Sequence, residues 1–144
     1  MAERNRRIAV VPHCLLNQNS VLTGWERSEG PFAGWAVPLM ETGWSLYQLP
    51  CPELLYGGVK REPQDYGAYD TADYRQHCRR LLAPSVVGLL KLKADGCLFR
   101  LIGIEESPSC DLRHGKGVLM EELAALLPAN FFSSYDQVPE KYCE

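Results

Sequence analysis

The chain has 144 residues, 46% of them hydrophobic and 23% charged, and a formal net charge of −3. That length favours one domain with a sizeable core, and the composition excludes intrinsic disorder. The small negative charge supplies no basic field for a nucleic-acid polymer or an anionic membrane, and no apolar run approaches the roughly 18 residues a membrane span needs.

Residues 1–6 are polar and read as a flexible end without a signal core, so a cytoplasmic location is expected. Arg7–Val11 is a short apolar run closed by Pro12, a central strand. Residues 14–30 read as loop, punctuated by Asn17-Gln-Asn-Ser20 and Gly24. Pro31–Thr42 reads as a helix, with Pro31 in its first turn, Gly43 as its stop and Pro38 as a kink. Trp44–Leu49 returns as a strand between Gly43 and Pro50. Gly57-Gly58 and residues 60–69 read as a long loop of the kind that carries binding residues, with Arg61 as its notable cation.

Thr71 suits the cap of a helix reaching about Lys93. Its positions Tyr74, Cys78, Leu81, Ser85 or Val86, and Leu89 recur at helical spacing, and Pro84 predicts a kink or two abutting helices. Cys97–Ile104 is a strand apolar enough for burial on both faces. Val118–Leu127 reads as the last helix, residues 131–134 as a fourth strand, and about 136–144 as a flexible tail. The order β-α-β-α-β-α-β predicts one α/β domain over 1–144: a three-layer α/β/α, Rossmann-like arrangement around a short, mostly parallel sheet.

Three cysteines close strands: Cys14 in Val11-Pro-His-Cys-Leu-Leu-Asn17, Cys51 in Leu49-Pro-Cys-Pro-Glu53, and Cys110 in Ser107-Pro-Ser-Cys110. Open parallel sheets bind ligands beyond the carboxyl ends of their strands. If the three strands are parallel neighbours, the thiols meet at one edge. Thiolates are soft ligands, so such a meeting points to a metal or an iron–sulfur cluster with one position left open. Pro12, Pro52 and Pro108 would stiffen the loops that aim them. No CxxC pair is present, so neither a zinc-finger nor a ferredoxin pattern supports the idea. The competing reading makes all three small buried hydrophobes.

The other cysteines read differently: Cys78 and Cys97 as core, Cys143 as an incidental tail residue. His13 and His114 are candidate fourth ligands or proton carriers, or plain loop residues, and His77 reads as surface. Glu53 and Ser107 stand close enough in sequence to handle protons beside the thiols. Glu105 and Glu106 read as solvated charges. Gly115 and Gly117 read as a helix entry, and Arg75, Arg79 and Arg80 as a solvated helix face.

Cys14-Leu-Leu-Asn17, Cys51-Pro-Glu53 and Gly103-Ile-Glu-Glu-Ser-Pro-Ser-Cys110, in that order, resemble the thiouracil desulfidase family, and its small members most. The resemblance runs from about Arg7 to Phe132. It implies an α/β domain that holds a [4Fe-4S] cluster by Cys14, Cys51 and Cys110, with the fourth iron open to a substrate's sulfur. It implies non-redox removal of sulfur from a small-molecule thiocarbonyl, such as a thiolated nucleobase or nucleoside, with Glu53 and Ser107 as catalytic groups. Asn17 and Asp111 stand where many members carry Gly, and the loops at 24–30 and 60–69 are distinct. Two other readings compete. One is a cysteine hydrolase with Cys14 as nucleophile, which leaves Cys51 and Cys110 idle. The other is a structural zinc or iron–sulfur module without catalysis.

Overall fold

The computed structural model describes residues 2–113 and 117–139. Strand β1 (Arg7–Val11) is followed by a short helix α1 (His13–Leu16), a 3-10 turn at Gln18–Ser20 and helix α2 (Ala33–Glu41). Strand β2 (Ser45–Gln48) leads through α3 (Pro52–Gly57) and α4 (Tyr66–Tyr69) to the long α5 (Ala72–Ala94). Strand β3 (Leu98–Ile104), helix α6 (Val118–Leu126) and strand β4 (Ser134–Val138) complete the chain order.

The sheet runs β2-β1-β3-β4, with every pair parallel. This is an α/β fold in a single domain, as the alternation of strand and helix patterns predicts. The connection from β1 moves to one edge, and those from β2 and β3 move toward the other. Right-handed crossovers therefore put α2 on one face and α5 and α6 on the other. The packing of α5 on α6 and of α2 on β2 follows that division. Both faces are needed: residues 8–11 of β1 and 101–104 of β3 are buried throughout.

α5 runs unbroken through Pro84, whose ring faces solvent. The expected kink does not divide the helix. Thr71 caps it by accepting from Tyr74 N at 3.1 Å. Its buried positions are Tyr74, Cys78, Leu82 and Leu89, so Leu82 rather than Leu81 faces the core. Each fully buried aliphatic side chain contributes about 1.5–3 kcal/mol. Cys78 and Cys97 are core residues, as read.

Four expectations need correction. The segment 14–30 opens with helix α1 instead of loop, and 60–69 contains α4, capped by the Asp65 carboxylate on Ala68 N at 2.9 Å. The fourth strand is Ser134–Val138, later than 131–134, and it enters the expected tail. Phe131 and Phe132 instead pack as buried aromatics below it, where their area is worth more than an edge strand's hydrogen bonds. Arg75 is not part of a solvated face: it is half-buried and pairs with Glu122 of α6, whereas Arg79 and Arg80 are exposed as read, Arg79 also reaching Glu122.

Gly103 lies where the chain after β3 folds back on the sheet. A Cβ there would stand 2.5 Å from Leu112 Cγ, 2.7 Å from Gln137 Oε1 and 2.9 Å from the Cys110 carbonyl oxygen. Gly103→Ala should therefore cost about 1–3 kcal/mol through overpacking. Urea unfolding should show a lower midpoint with an unchanged slope; an unchanged midpoint would contradict the close return of the Cys110 turn.

Candidate functional site

The three strand-end cysteines converge. Cys14 lies in α1 just past β1, Cys51 caps α3 just past β2, and Cys110 ends the turn after β3. All three line one cavity of about 190 Å³, with Glu53, Ser107, Arg27, Arg61 and His13. The cavity sits at the carboxyl edge of the sheet. There the connection leaving β1 turns to one edge and the connection leaving β3 to the other, which is where doubly wound sheets open a crevice. A larger, open depression of about 820 Å³ lies beside it, lined by Gln18, Thr23, Glu26 and Arg27 among others. It holds no cysteine, so we assign the chemistry to the smaller cavity.

Local sequence explains how each thiol is aimed. Cys51 has the extended backbone of a helix cap, and its sulfur accepts from Leu54 N at 3.5 Å. Pro52 occupies the first helical position, where its missing N–H costs nothing. Gln18 fixes the Cys14 turn: its Nε2 donates to Cys14 O and its Oε1 accepts from Arg27 N, both at 2.8 Å. The Cys110 turn is held by Ser107 Oγ, which accepts from Cys110 N at 3.1 Å. Asp111 accepts from Glu106 N and Arg113 N, and so supports the positive φ of 67° at Glu106.

These contacts explain the residues at positions 17 and 111. Asn17 has an extended backbone, φ −147°, and needs no glycine. Asp111 is a buried carboxylate that organises the turn.

The electrostatics are those of a closed site. Burial pushes the Cys14 thiol up to about 12, the charges of Cys51 and Glu53 push it the same way, and Arg27 opposes them. Burial also raises Cys51 and, well above the usual thiol range, Cys110, whose neighbours Cys14 and Cys51 add to the effect. Burial raises the Glu53 carboxyl, and Ser109, Arg61 and Arg27 hold it back. Glu53 Oε1 lies 3.7 Å from Arg61 Nε, with both side chains largely buried.

The sequence-predicted site residues Cys14, Cys51, Cys110, Glu53 and Ser107 are thus together in one cavity. His13 lines it as well, and its Nδ1 is buried with no hydrogen-bond partner among the described residues. Burial lowers its pKa. His114, Gly115 and Cys143 lie outside the described residues. His77 is half-buried against Pro52 O at 2.9 Å and is not plain surface. Glu106 is exposed, as read, and borders the cavity as well.

Three residues escaped the sequence reading. Arg27 came from a loop without a motif. Ser109 stands inside the Ser-Pro-Ser-Cys motif, where the resemblance marks only Ser107. Tyr74 matched the core pattern of α5, which hid its hydroxyl.

The thiols are soft donors, the kind a thiophilic metal group takes. Three thiols that burial and one another hold protonated would be ionised readily only beside a strong positive centre, because metal binding displaces their protons. No three of His, Cys, Asp and Glu among the described residues gather as closely as a single metal ion requires.

Fold and site together define a doubly wound α/β domain with a three-thiol cavity at its switch point. The chain is 46% identical over 119 residues to the uncharacterized protein MJ0003 of Methanocaldococcus jannaschii, a match that covers 83% of this chain and 76% of that protein. It belongs to the same family as that archaeal protein. No protein-family model matches the chain, and no solved structure matches it.

The raised thiol makes a prediction for metal-free protein. Alkylation needs the thiolate, and Cys14 should remain mostly protonated until the pH nears 12. Its rate with iodoacetamide should keep rising about tenfold per pH unit beyond pH 9, where an ordinary cysteine levels off near its pKa of about 8.5. Mass spectrometry of the Cys14 peptide across pH 7–11 measures this; a plateau at pH 9 would contradict the burial described.

Proposed function

We propose that this protein is a desulfidase that removes sulfur from a small thiocarbonyl compound and releases sulfide. The observation that carries the reading is the convergence of Cys14, Cys51 and Cys110, with Glu53 and Ser107, in one cavity at the carboxyl edge of the sheet. The reaction balances without net redox change: water supplies the oxygen that replaces sulfur on carbon, and sulfide leaves with the two protons.

Cys14, Cys51 and Cys110 would hold a [4Fe-4S] cluster, and three ligands leave one position open. When bound, such a group supplies Lewis acidity toward a thiocarbonyl sulfur. The remaining chemistry belongs to the chain. Glu53 takes a proton from the attacking water, and burial shifts its carboxyl toward neutrality, the direction that suits a general base. Ser107 Oγ already accepts from Cys110 N, so its own proton is what it has to donate into the cavity. Arg27 and Arg61 offset the negative charge gathered there. Thiols of this kind suit a reducing compartment, so the reading places the protein in the cytoplasm. No helix among the described residues is long and apolar enough to cross a membrane.

The competing readings have less support. A cysteine hydrolase needs a thiol of lowered pKa, and burial drives Cys14 the other way. A structural zinc site needs ligands gathered round one ion, a closeness not found among the described residues.

Protein purified and assayed without oxygen tests the reading through sulfide release from thiolated bases and nucleosides. Changing Cys14, Cys51 or Cys110 to Ser should each lower iron content and abolish release, because a hydroxyl is a hard, poor replacement for a thiolate. Iron content equal to the parent's in all three variants would reject the cluster.

Glu53→Gln should keep the iron and lose about 10²–10⁴-fold in rate per cluster, since the amide cannot take the proton. An unchanged rate would remove Glu53 from the chemistry.

A further inference from the structure

Trp25 carries the largest side chain a protein has, and it stands 61% exposed. Single apolar side chains on a surface are common. Of the exposed large ones among the described residues, however, Trp25 alone lines the thiol cavity. None of the ring or cation contacts among the described residues involves its indole.

The backbone around it is nevertheless pinned. Thr23 N donates to Val59 O at 2.9 Å, and Trp25 N to Leu22 O at 3.1 Å. Gly24 N donates to Glu26 Oε2 at 2.9 Å, and Gly24 takes φ 89°, a turn that glycine makes without strain. Two residues on, Arg27 N is held by Gln18 Oε1 at 2.8 Å. Hydrogen bonds on both sides thus fix an indole where it has no ring of its own to pack on.

The cavity has a closed end and an open one. Cys110, Ile104 and Phe32 are buried, whereas Trp25, Pro63 and Gln64 are exposed. Its volume of about 190 Å³ lies below the roughly 300–1,000 Å³ of pockets for drug-sized ligands, and suits a molecule of about one ring. Two residues that line it, His13 and Arg61, have buried polar atoms, Nδ1 and Nε, with no hydrogen-bond partner among the described residues. Buried polar atoms are nearly always paired, so these two call for an occupant with hydrogen-bonding edges. A planar heterocycle meets both demands. Its face stacks on an indole, and its edge carries polar groups.

We propose that Trp25 is the platform on which the planar ring of the substrate lies at the open end of the cavity, so that the site takes a heteroaromatic thiocarbonyl and discriminates against open-chain thioamides. The inference deepens the desulfidase reading and rests on it for the sulfur; the ring contact rests on the geometry alone. An open-chain thioamide has no ring face to lay on the indole. Stacking moves no proton and breaks no bond, so its loss belongs in KM rather than kcat.

The test has a binding arm and a kinetic arm. Uracil keeps the ring and has no sulfur to lose. Dihydrouracil keeps the polar edge, but its ring is puckered and not aromatic. Equilibrium dialysis against protein purified without oxygen gives both affinities for the parent, Trp25→Leu and Trp25→Phe. Trp25 is exposed, so neither variant removes a core contact. The parent should bind uracil about fivefold or more tighter than dihydrouracil, the low end of what stacking a base on an aromatic side chain provides. Trp25→Leu should bind uracil about tenfold more weakly than the parent and no longer separate the two compounds, with Trp25→Phe between. A parent that retains no uracil, or binds both compounds alike, overturns the proposal, and so does a Trp25→Leu variant with the parent's affinity for uracil.

With 4-thiouracil as the reacting probe, Trp25→Leu should raise KM about tenfold and leave kcat within about twofold, at equal iron content. A fall in kcat with KM unchanged would also overturn the proposal. Should the parent release no sulfide, the desulfidase reading falls and the comparison of uracil with dihydrouracil alone decides the stacking role.

Discussion

Parallel pairing of β1 with β3 is the constraint on which the site depends. The register sets Val10 beside Leu101 and Ile8 beside Phe99, so β1 ends at Val11 while β3 runs on to Ile104 at the same edge, and the two send their chains in opposite directions. Cys14 and Cys110 lie on either side of that division. A slip of one residue would displace one thiol from the other by about 3.3 Å and turn each strand's buried side chains to the wrong face. The apolar burial of Val10, Phe99 and Ile102 resists such a slip, so the core holds the spacing of the thiols. β2 joins through Val11 and Gln48, and Leu49 N donates to Val11 O at 2.8 Å, carrying the pairing to the brink of Cys51.

Burial gives the cavity its character. It raises all three thiols and the Glu53 carboxyl together, so negative charge there is costly without a positive partner. Arg27 and Arg61 supply part of that compensation, and a bound metal group would supply more. The loops that carry these residues are held by buried polar side chains. Gln18 binds a carbonyl at one end and an amide at the other, and Asp111 receives two backbone N–H groups. Such side chains satisfy backbone groups that burial would otherwise strand.

α5 ties this edge to the rest of the domain. Arg75 meets Asp70 at 2.8 Å, Glu122 at 3.0 Å and Glu121 at 3.4 Å, and Arg79 also pairs with Glu122. Glu122 is largely buried, so its charge depends on those two arginines. The clasp locks α5 against α6, and Tyr74 stands one residue before Arg75 on the same helix. The helix that closes the core therefore also carries the Tyr74 hydroxyl, 2.7 Å from Ser109 Oγ.

Hydrophobic pattern alone determined the α/β class, the strand at Arg7–Val11, a third strand read as Cys97–Ile104 and found at Leu98–Ile104, and the long helix, because buried strands and amphipathic helices write their periods into the chain. The cysteines at the strand ends were legible for the same reason, and the motif glutamate with them. Tertiary structure decided the rest. The fourth strand could not be placed from sequence, since Phe131 and Phe132 look more strand-like than Ser134–Val138 and are aromatic for a packing reason. Strand order, and with it the meeting of three distant thiols, depends on crossovers that no local window contains. Arg27, Ser109 and Tyr74 lie 26, 56 and 21 residues from Glu53 in sequence. Their roles come from where burial brings their polar atoms, and a single sequence records which residues are apolar far more plainly than which polar atoms meet.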